Sequence, residues 1–268
     1  MTNLFNVIQI ETQHGCNYKC VCCPNKYVMP FFDKMSESLF KKIIDELGTM
    51  DFSGRISPYF FNEPTLDLRL PEFIKYIKKT VPRAIVKFNT NASVLRGKVA
   101  QDIVDAGLDA IEVSVYTVRP EEYQILHGTK VPFEEVKENI INFRKIFKGS
   151  ISVYVVGGLG TSSRQDMEDA LGIPVGVAPR INRGGNIEGG TPLKRDSCKE
   201  PYLQMYIDHT GKAVACCMDF YSTVVLGDCN NQTLKDIWYG DAYNNIRNIF
   251  KENPENIPDI CKKCDYHS

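Results

Sequence analysis

Ten cysteines fall into two groups, and their spacing is the strongest chemical signal in the chain. Cys16, Cys20, Cys22 and Cys23 lie near the N-terminus, and Cys198, Cys216, Cys217, Cys229, Cys261 and Cys264 in the last third. Two local clusters around a cysteine-free body point to metal sites rather than to a disulfide framework. Cys16, Cys20 and Cys23 stand as C-x3-C-x2-C. Three thiolates on one tight loop hold three corners of a cubic [4Fe–4S] cluster and leave the fourth iron open to another molecule. Cys22 could supply a fourth thiolate, and the same loop would then close a structural zinc site. In the second group Cys198 and Cys216 flank a hairpin, and Cys261-x2-Cys264 completes the set. Four thiolates make a closed site, either a [4Fe–4S] cluster for electron transfer or structure or a zinc ribbon. Cys217 and Cys229 are left over. Side chains alternate along a hairpin strand, so Cys217 is expected to face away from Cys216. Each of these two reads as a buried free thiol.

The rest of the composition limits the partners. Among 268 residues, Lys plus Arg total 32 and Asp plus Glu 33, a net charge of −1. That balance argues against a mainly nucleic-acid-binding surface or a polybasic membrane tether. The chain is 43% hydrophobic and 24% charged, a folded rather than disordered composition, and long enough to bury a core without cystine staples. No apolar run nears the roughly 20 residues of a membrane span. Residues 1–10 carry no basic residue and no signal-peptide layout. A reducing cytoplasm is the expected setting.

The cysteines must be positioned by a repeating framework. Residues 5–12 alternate as a strand, with Ile8 and Ile10 on one face and Val7, Gln9 and Glu11 on the other. Ser36 caps a helix carrying Leu39, Phe40, Ile43, Ile44 and Leu47, ended by Gly48. Strands are expected over 55–61, 84–90, 110–116, 151–156 and 175–179. Helices open at Pro71 and cover 94–106, 133–147 and 167–171. Six βα units predict an α/β fold with a parallel sheet, curved into a partial (β/α)6 TIM-like barrel rather than a closed eight-unit one. In the fourth strand Ile111, Val113 and Val115 alternate with Glu112, Ser114 and Tyr116. A polar inward set predicts a lumen that holds a ligand rather than a packed core. Residues 179–194, rich in Gly, Asn and Arg, break the pattern. Beyond them 202–208 and 212–218 read as a β-hairpin around His209-Thr210-Gly211, and 234–250 as a helix. The expected division is a barrel over 1–182 and a small hairpin-plus-helix domain over 183–268.

In this strand order the motifs resemble the radical S-adenosylmethionine (SAM) superfamily. Phe61-Asn62-Glu63-Pro64 follows the second strand and is similar to the family's Gly-Gly-Glu-Pro segment, with both glycines replaced. Thr90-Asn91-Ala92 resembles its Thr-Asn-Gly segment, and Ser114 lies where the family places a ribose or carboxylate contact. The resemblance implies that Cys16, Cys20 and Cys23 ligate a [4Fe–4S] cluster whose open iron is chelated by SAM. It implies that Asn62, Glu63, Pro64, Asn91 and Ser114 contact SAM, with Cys22 in the place by the adenine where an aromatic residue is usual. A flavodoxin or ferredoxin supplies the electron in this family, and SAM is split into methionine and a 5′-deoxyadenosyl radical that abstracts a substrate hydrogen. Cys-x12-Gly-x4-Cys, then Leu226-Gly227-Asp228, then Leu234-Lys-Asp-Ile237-Trp238, then Cys-x2-Cys resembles the SPASM/twitch extension. Four ligands, Cys198, Cys216, Cys261 and Cys264, fit the shorter twitch form with one auxiliary [4Fe–4S] cluster.

In size and in both spacings the chain resembles most the members of the family that oxidise aminocyclitols. An arginine equivalent to that in Asn182-Arg183-Gly184-Gly185 meets the substrate there, and that role carries to Arg183. The resemblance thus implies dehydrogenation. A hydrogen leaves a secondary carbinol carbon, the hydroxyl loses its proton, and the auxiliary cluster takes the second electron to leave a ketone. Arg183, Glu112 or Tyr116 would orient or deprotonate that hydroxyl. Epimerisation of an aminoglycoside or peptide centre is the second reaction the residues allow. There Cys217 or Cys229 would deliver a hydrogen atom to the substrate radical, as a thiol does in radical epimerases similar to this family. Maturation of a peptide substrate is a third, with no leader-binding segment ahead of residue 5 to favour it. A zinc-binding interaction protein is the non-enzymatic reading, and the SAM-like segments and the polar lumen count against it.

Overall fold

A computed structural model describes residues 4–27, 32–188, 190–192 and 197–266. Its first part alternates β1 (Val7–Ile10), α1 (Glu37–Thr49), β2 (Arg55–Ser57), α2 (Leu70–Thr80), β3 (Ile85–Thr90), α3 (Gly97–Asp105) and β4 (Ala110–Ser114). It continues through α4 (Pro120–His127), α5 (Phe133–Ile146), β5 (Ser150–Val156), α6 (Arg164–Leu171) and β6 (Val175–Ala178). Neighbouring strands from β1 to β6 all pair in parallel and in sequence order, the open six-unit α/β barrel the sequence predicts. The second part holds α7 (Glu200–Leu203), β7 (Gln204–Ile207), β8 (Lys212–Val214), β9 (Val225–Asp228), α8 (Leu234–Tyr239), α9 (Asp241–Glu252) and α10 (Asp259–Lys262).

The helices form for local reasons. Ser36 accepts the Leu39 N–H at 3.2 Å and starts α1, whose Leu39, Phe40, Ile43, Ile44 and Leu47 form the buried stripe. Ser163 and Asp166 make a capping box for α6, and left-handed Gly172 ends it. The helices cover the sheet's outer face, where Ile8, Ile56, Val86, Phe88, Ile111 and Val113 are at most 1% exposed. Each such side chain stabilises the fold by about 1.5–3 kcal/mol. Phe40 of α1 stacks on Phe73 of α2 at 4.1 Å between ring centroids.

Several boundaries differ from the sequence expectation. The second strand stops at Ser57, and α3 starts at Gly97 because Arg96 is extended. The single helix expected over 234–250 is two, α8 and α9, broken at Gly240, whose extended backbone caps α9. Helix α4 was not expected. The second hairpin strand ends at Val214, after a register irregularity against β9, so Cys216 and Cys217 lie beyond it and strand alternation does not govern them. Residues 189, 193 and 194 of the 179–194 linker lie outside the described residues.

The two parts also share more than the sequence indicates. β7 pairs in parallel with β1, from Val7 opposite Gln204 to Ile10 opposite Ile207. β8 and β9 extend it antiparallel. The result is one nine-stranded sheet in the order β6-β5-β4-β3-β2-β1-β7-β8-β9. Among the described residues no helix is long and apolar enough to cross a membrane.

Candidate active site and iron–sulfur centres

The first cysteine group lies on the loop leaving β1. Gly15, with φ 108°, turns the chain and its carbonyl accepts the Glu63 N–H at 3.0 Å. The Cys23 N–H closes a turn onto the Cys20 carbonyl at 3.1 Å. Cys16 Sγ accepts from the Tyr18 N–H at 3.4 Å and lies 3.8 Å from Asn91 Nδ2. The loop rests on the end of α4, where the Lys19 N–H bonds the His127 carbonyl at 3.2 Å and the Val21 N–H the Leu126 carbonyl at 3.0 Å. Gly128 makes that approach possible. Its φ is +55°, and a Cβ there would stand 2.2 Å from the Lys19 carbonyl oxygen. Burial pushes the Cys16 thiol up to about 12, with the Glu63 charge adding to the effect, and drives the Cys20 thiol well above its ordinary value. A bound cation offsets that cost, because a coordinating thiol is deprotonated outright.

A cavity of about 350 Å³ opens beside these thiols, a size suited to small molecules. Glu112, Ser114 and Tyr116, the inward set of β4, line it as the alternation predicts. So do Asn62, Glu63, Asn91 and Arg183. Glu63 is 2% exposed. Its carboxylate accepts from Thr65 N–H and Oγ1, from Thr90 Oγ1 at 2.6 Å and from the Asn91 N–H at 2.7 Å. It thereby ties the segments after β2 and β3 together under the cavity floor. Burial raises the Glu63 pKa and those four donors oppose the rise. Asn62 Oδ1 accepts the Phe60 N–H at 3.0 Å, while its Nδ2 is buried with no partner in the protein. A buried amide donor beside a cavity is the kind of group a polar ligand completes.

Glu112 is held by Lys87 Nζ at 3.0 Å and Asn89 Nδ2 at 2.8 Å. Tyr116 stacks on His127 at 4.5 Å and packs with Cys22, which is 2% exposed. Burial lifts the Tyr116 hydroxyl well above its ordinary value, with Cys22 and Cys20 adding to it. Arg183 has φ 52°, a left-handed conformation that costs a non-glycine residue of order 1–3 kcal/mol and persists where the surroundings impose it. Burial opposes its charge and is outweighed by Cys23 and Cys217, whose anionic forms raise its pKa.

The second group closes around its own small void. Cys198, Cys216, Cys261 and Cys264 all line it, with Met218, Phe250 and Tyr266 as an apolar wall. Cys216 Sγ accepts the Met218 N–H and Cys264 Sγ the Tyr266 N–H, each at 3.4 Å. The same i+2 N–H to sulfur bond holds Cys16, so both groups present donors that suit thiolates. Elsewhere, Glu11, His14 and His209 bring their ligand atoms within 4.8 Å of one another. Glu11 itself is a carboxylate bonded to two imidazoles, His14 Nδ1 at 3.0 Å and His209 Nδ1 at 3.2 Å.

Cys216 and Cys217 part at the turn that follows β8. Cys216 faces the four-cysteine void, and Cys217 lines the 350 Å³ cavity with Arg183. Cys229 goes elsewhere. It is 1% exposed in the main core, its carbonyl bonded by Lys42 Nζ, and it is not among the residues lining the cavity. Sequence reasoning missed Tyr59 and Tyr154, which line the cavity, and His127, which touches Cys20. A lone histidine at the end of a short unassigned helix carries no signal by itself.

The barrel, the cysteine loop and the second cysteine set define a class. Residues 10–172 match the Radical SAM superfamily and residues 198–265 the SPASM iron-sulfur cluster-binding domain. The first match spans well over half of the chain, which therefore belongs to the radical SAM superfamily. It is an enzyme of that family, using SAM and iron–sulfur clusters. Over 267 residues it is 26% identical to the S-adenosyl-L-methionine-dependent 2-deoxy-scyllo-inosamine dehydrogenase of Niallia circulans, covering 98% of this chain and 94% of that protein. It is 28% identical over 156 residues to the GTP 3′,8-cyclase of Lactiplantibacillus plantarum, covering 52% of this chain and 46% of that one. The crystal structure of BtrN in complex with AdoMet and 2-DOIA aligns with a TM-score of 0.71 at 26% identity, covering 100% and 96% of the two chains. Streptococcus suis SuiB bound to its precursor peptide SuiA shares the fold at 14% identity, with a TM-score of 0.74 over 97% of this chain and 70% of that one.

Proposed function

We propose that the chain oxidises a secondary alcohol of an aminocyclitol- or aminoglycoside-type intermediate to a ketone. One observation carries the reading. The cysteine loop, Arg183 and the polar set of β4 meet at a single small cavity, in a chain similar from end to end to an aminocyclitol dehydrogenase. Cys16, Cys20 and Cys23 hold one [4Fe–4S] cluster, and Cys198, Cys216, Cys261 and Cys264 an auxiliary one. Held by these residues, SAM and the first cluster would supply the radical chemistry that removes a carbinol hydrogen, and the second cluster would offer a place for the second electron. Asn62 Nδ2, Glu63, Pro64, Asn91 and Ser114 contact SAM, and Cys22 lies by the adenine. Arg183 orients the substrate hydroxyl, with Glu112 or Tyr116 as the base. Lys87 and Asn89 hold the Glu112 carboxylate in the cavity. Tyr116 needs a neighbouring base before it can accept a proton, so Glu112 is the better candidate. In this reading the catalytic barrel is 1–182 and the auxiliary unit 183–268, working in the cytoplasm with a flavodoxin or ferredoxin as electron donor.

Cys217 supports a second reaction. Its lining of the cavity together with Arg183 supports the return of a hydrogen atom, which is epimerisation, of an aminoglycoside or peptide centre. The test is anaerobic reconstitution, an iron count, and incubation with SAM and 2-deoxy-scyllo-inosamine in D2O. Dehydrogenation gives about eight irons per chain, two [4Fe–4S] clusters, a ketone and no solvent deuterium on carbon. An inverted carbon carrying one deuterium, lost in Cys217→Ser, replaces it with epimerisation. Stoichiometric zinc with little iron ends both.

A further inference from the structure

We propose that His127 is a positioning residue for the SAM-binding cluster, donating a hydrogen bond from Nδ1–H to Cys20 Sγ and raising the reduction potential of the cluster that this thiolate ligates. The inference rests on the reading of Cys16, Cys20 and Cys23 as that cluster's ligands.

The proton's position follows from the ring's two contacts. His127 Nε2 lies 3.2 Å from the backbone nitrogen of Tyr116. A backbone N–H can only donate, so Nε2 presents its lone pair. A neutral imidazole with a bare Nε2 carries its proton on Nδ1, and Nδ1 lies 3.7 Å from Cys20 Sγ. The ring has no freedom to turn away. It is 0% exposed, parallel to Tyr116 within 5°, stacked on Tyr123 at 4.2 Å and edge-on to Tyr18 at 5.8 Å. The His127 carbonyl also accepts the Lys19 N–H, so the residue fixes the cysteine loop through both backbone and ring.

A hydrogen bond to a ligating sulfur draws charge from it. That stabilises the more negative, reduced cluster over the oxidised one, and hydrogen bonds to sulfur are among the features that set cluster potentials. The step is [4Fe–4S]2+ plus one electron to [4Fe–4S]+, the electron coming from dithionite in the assay. His127 keeps its proton on both sides, so none is taken up.

The experiment is an EPR-monitored redox titration of reconstituted wild-type, His127→Phe and His127→Asn proteins. The SAM-binding cluster is the one whose reduced signal changes on adding SAM. His127→Phe keeps the aromatic packing and loses the donor, and its midpoint falls by about 59 mV, tenfold in a one-electron equilibrium. His127→Asn restores an N–H and recovers part of the shift. A loaded His127→Phe protein with an unchanged midpoint overturns the proposal. If neither variant takes up iron, wild-type holoenzyme labelled with 15N-histidine decides. Pulsed EPR of its reduced SAM-responsive cluster shows a histidine nitrogen coupling, and its absence overturns the proposal. A wild-type protein with no SAM-responsive signal overturns the ligand assignment itself, a different failure.

Discussion

The backbone N–H of Asn182 donates to both carboxylate oxygens of Asp265, at 2.9 Å each. Asn182 Nδ2 adds a bond to the Lys263 carbonyl at 2.7 Å. The residue before Arg183 is thus pinned to the residue after Cys264. Asp265→Ala leaves a buried N–H without an acceptor, at a cost of about 1–3 kcal/mol. The expected result is a lower melting temperature together with a raised KM, since the loop carrying Arg183 loosens. An unchanged KM would separate the loop from substrate binding.

Arg183 offers a sharper test, because its backbone and side chain pull in opposite directions. Glycine adopts φ near +52° without the Cβ penalty of about 1–2 kcal/mol. Arg183→Gly is therefore expected to be more stable than Arg183→Ala by about 1 kcal/mol in denaturant unfolding, with turnover lost in both. A glycine variant less stable than the alanine one would mean that the loop does not strain this residue.

Gly128→Ala addresses the seat of the cysteine loop. The new methyl meets the Lys19 carbonyl at 2.2 Å, at a left-handed position, so the loop must lift. The expectation is at least about 1 kcal/mol of lost stability and reduced iron uptake in reconstitution. Full iron loading would show that the loop tolerates the displacement.

The Glu11 and His209 pair sets a pH window. Burial works against the charge on each, and their mutual bond and attraction outweigh it, with His14 helping Glu11 and with Asp208 and Asp33 helping His209. His209 has a raised pKa. Its contribution is complete below its ordinary value of 6.5 and is lost as pH rises through the folded-state value. Glu11 has a lowered pKa, so its contribution is complete above 4.5 and is lost as pH falls through its folded-state value. The melting-temperature gap between wild type and His209→Gln is expected to be widest between about pH 4.5 and 6.5 and to narrow on either side. A gap of constant size at pH 9 would count against the ion pair.

Much of this was legible in the residues. The six strands follow from period-two runs, and the inward set Glu112, Ser114 and Tyr116 lines the cavity because β4 keeps its alternation. The cysteine spacing separates the two groups. The rest depended on contacts that spacing does not encode. β7 joins β1 across nearly 200 residues of chain, and no local pattern records a partner so distant. Helix α4 is eight residues long with only Tyr123 and His127 buried, too short for its periodicity to register. Gly240 divides 234–250 because the chain turns there. Cys216 and Cys217 point to different chambers through a turn, not through strand alternation.

The pairing of β7 on β1 makes one folding unit of the two parts. A module joined by a linker can be lost, gained or exchanged between relatives with little harm to its neighbour. Here removal of the C-terminal part would strip β1 of its ladder partner and expose a bare edge of buried, apolar strand, a template for aggregation. The two cysteine-bearing parts are therefore tied together by backbone pairing, and neither can be cut away without opening the sheet of the other.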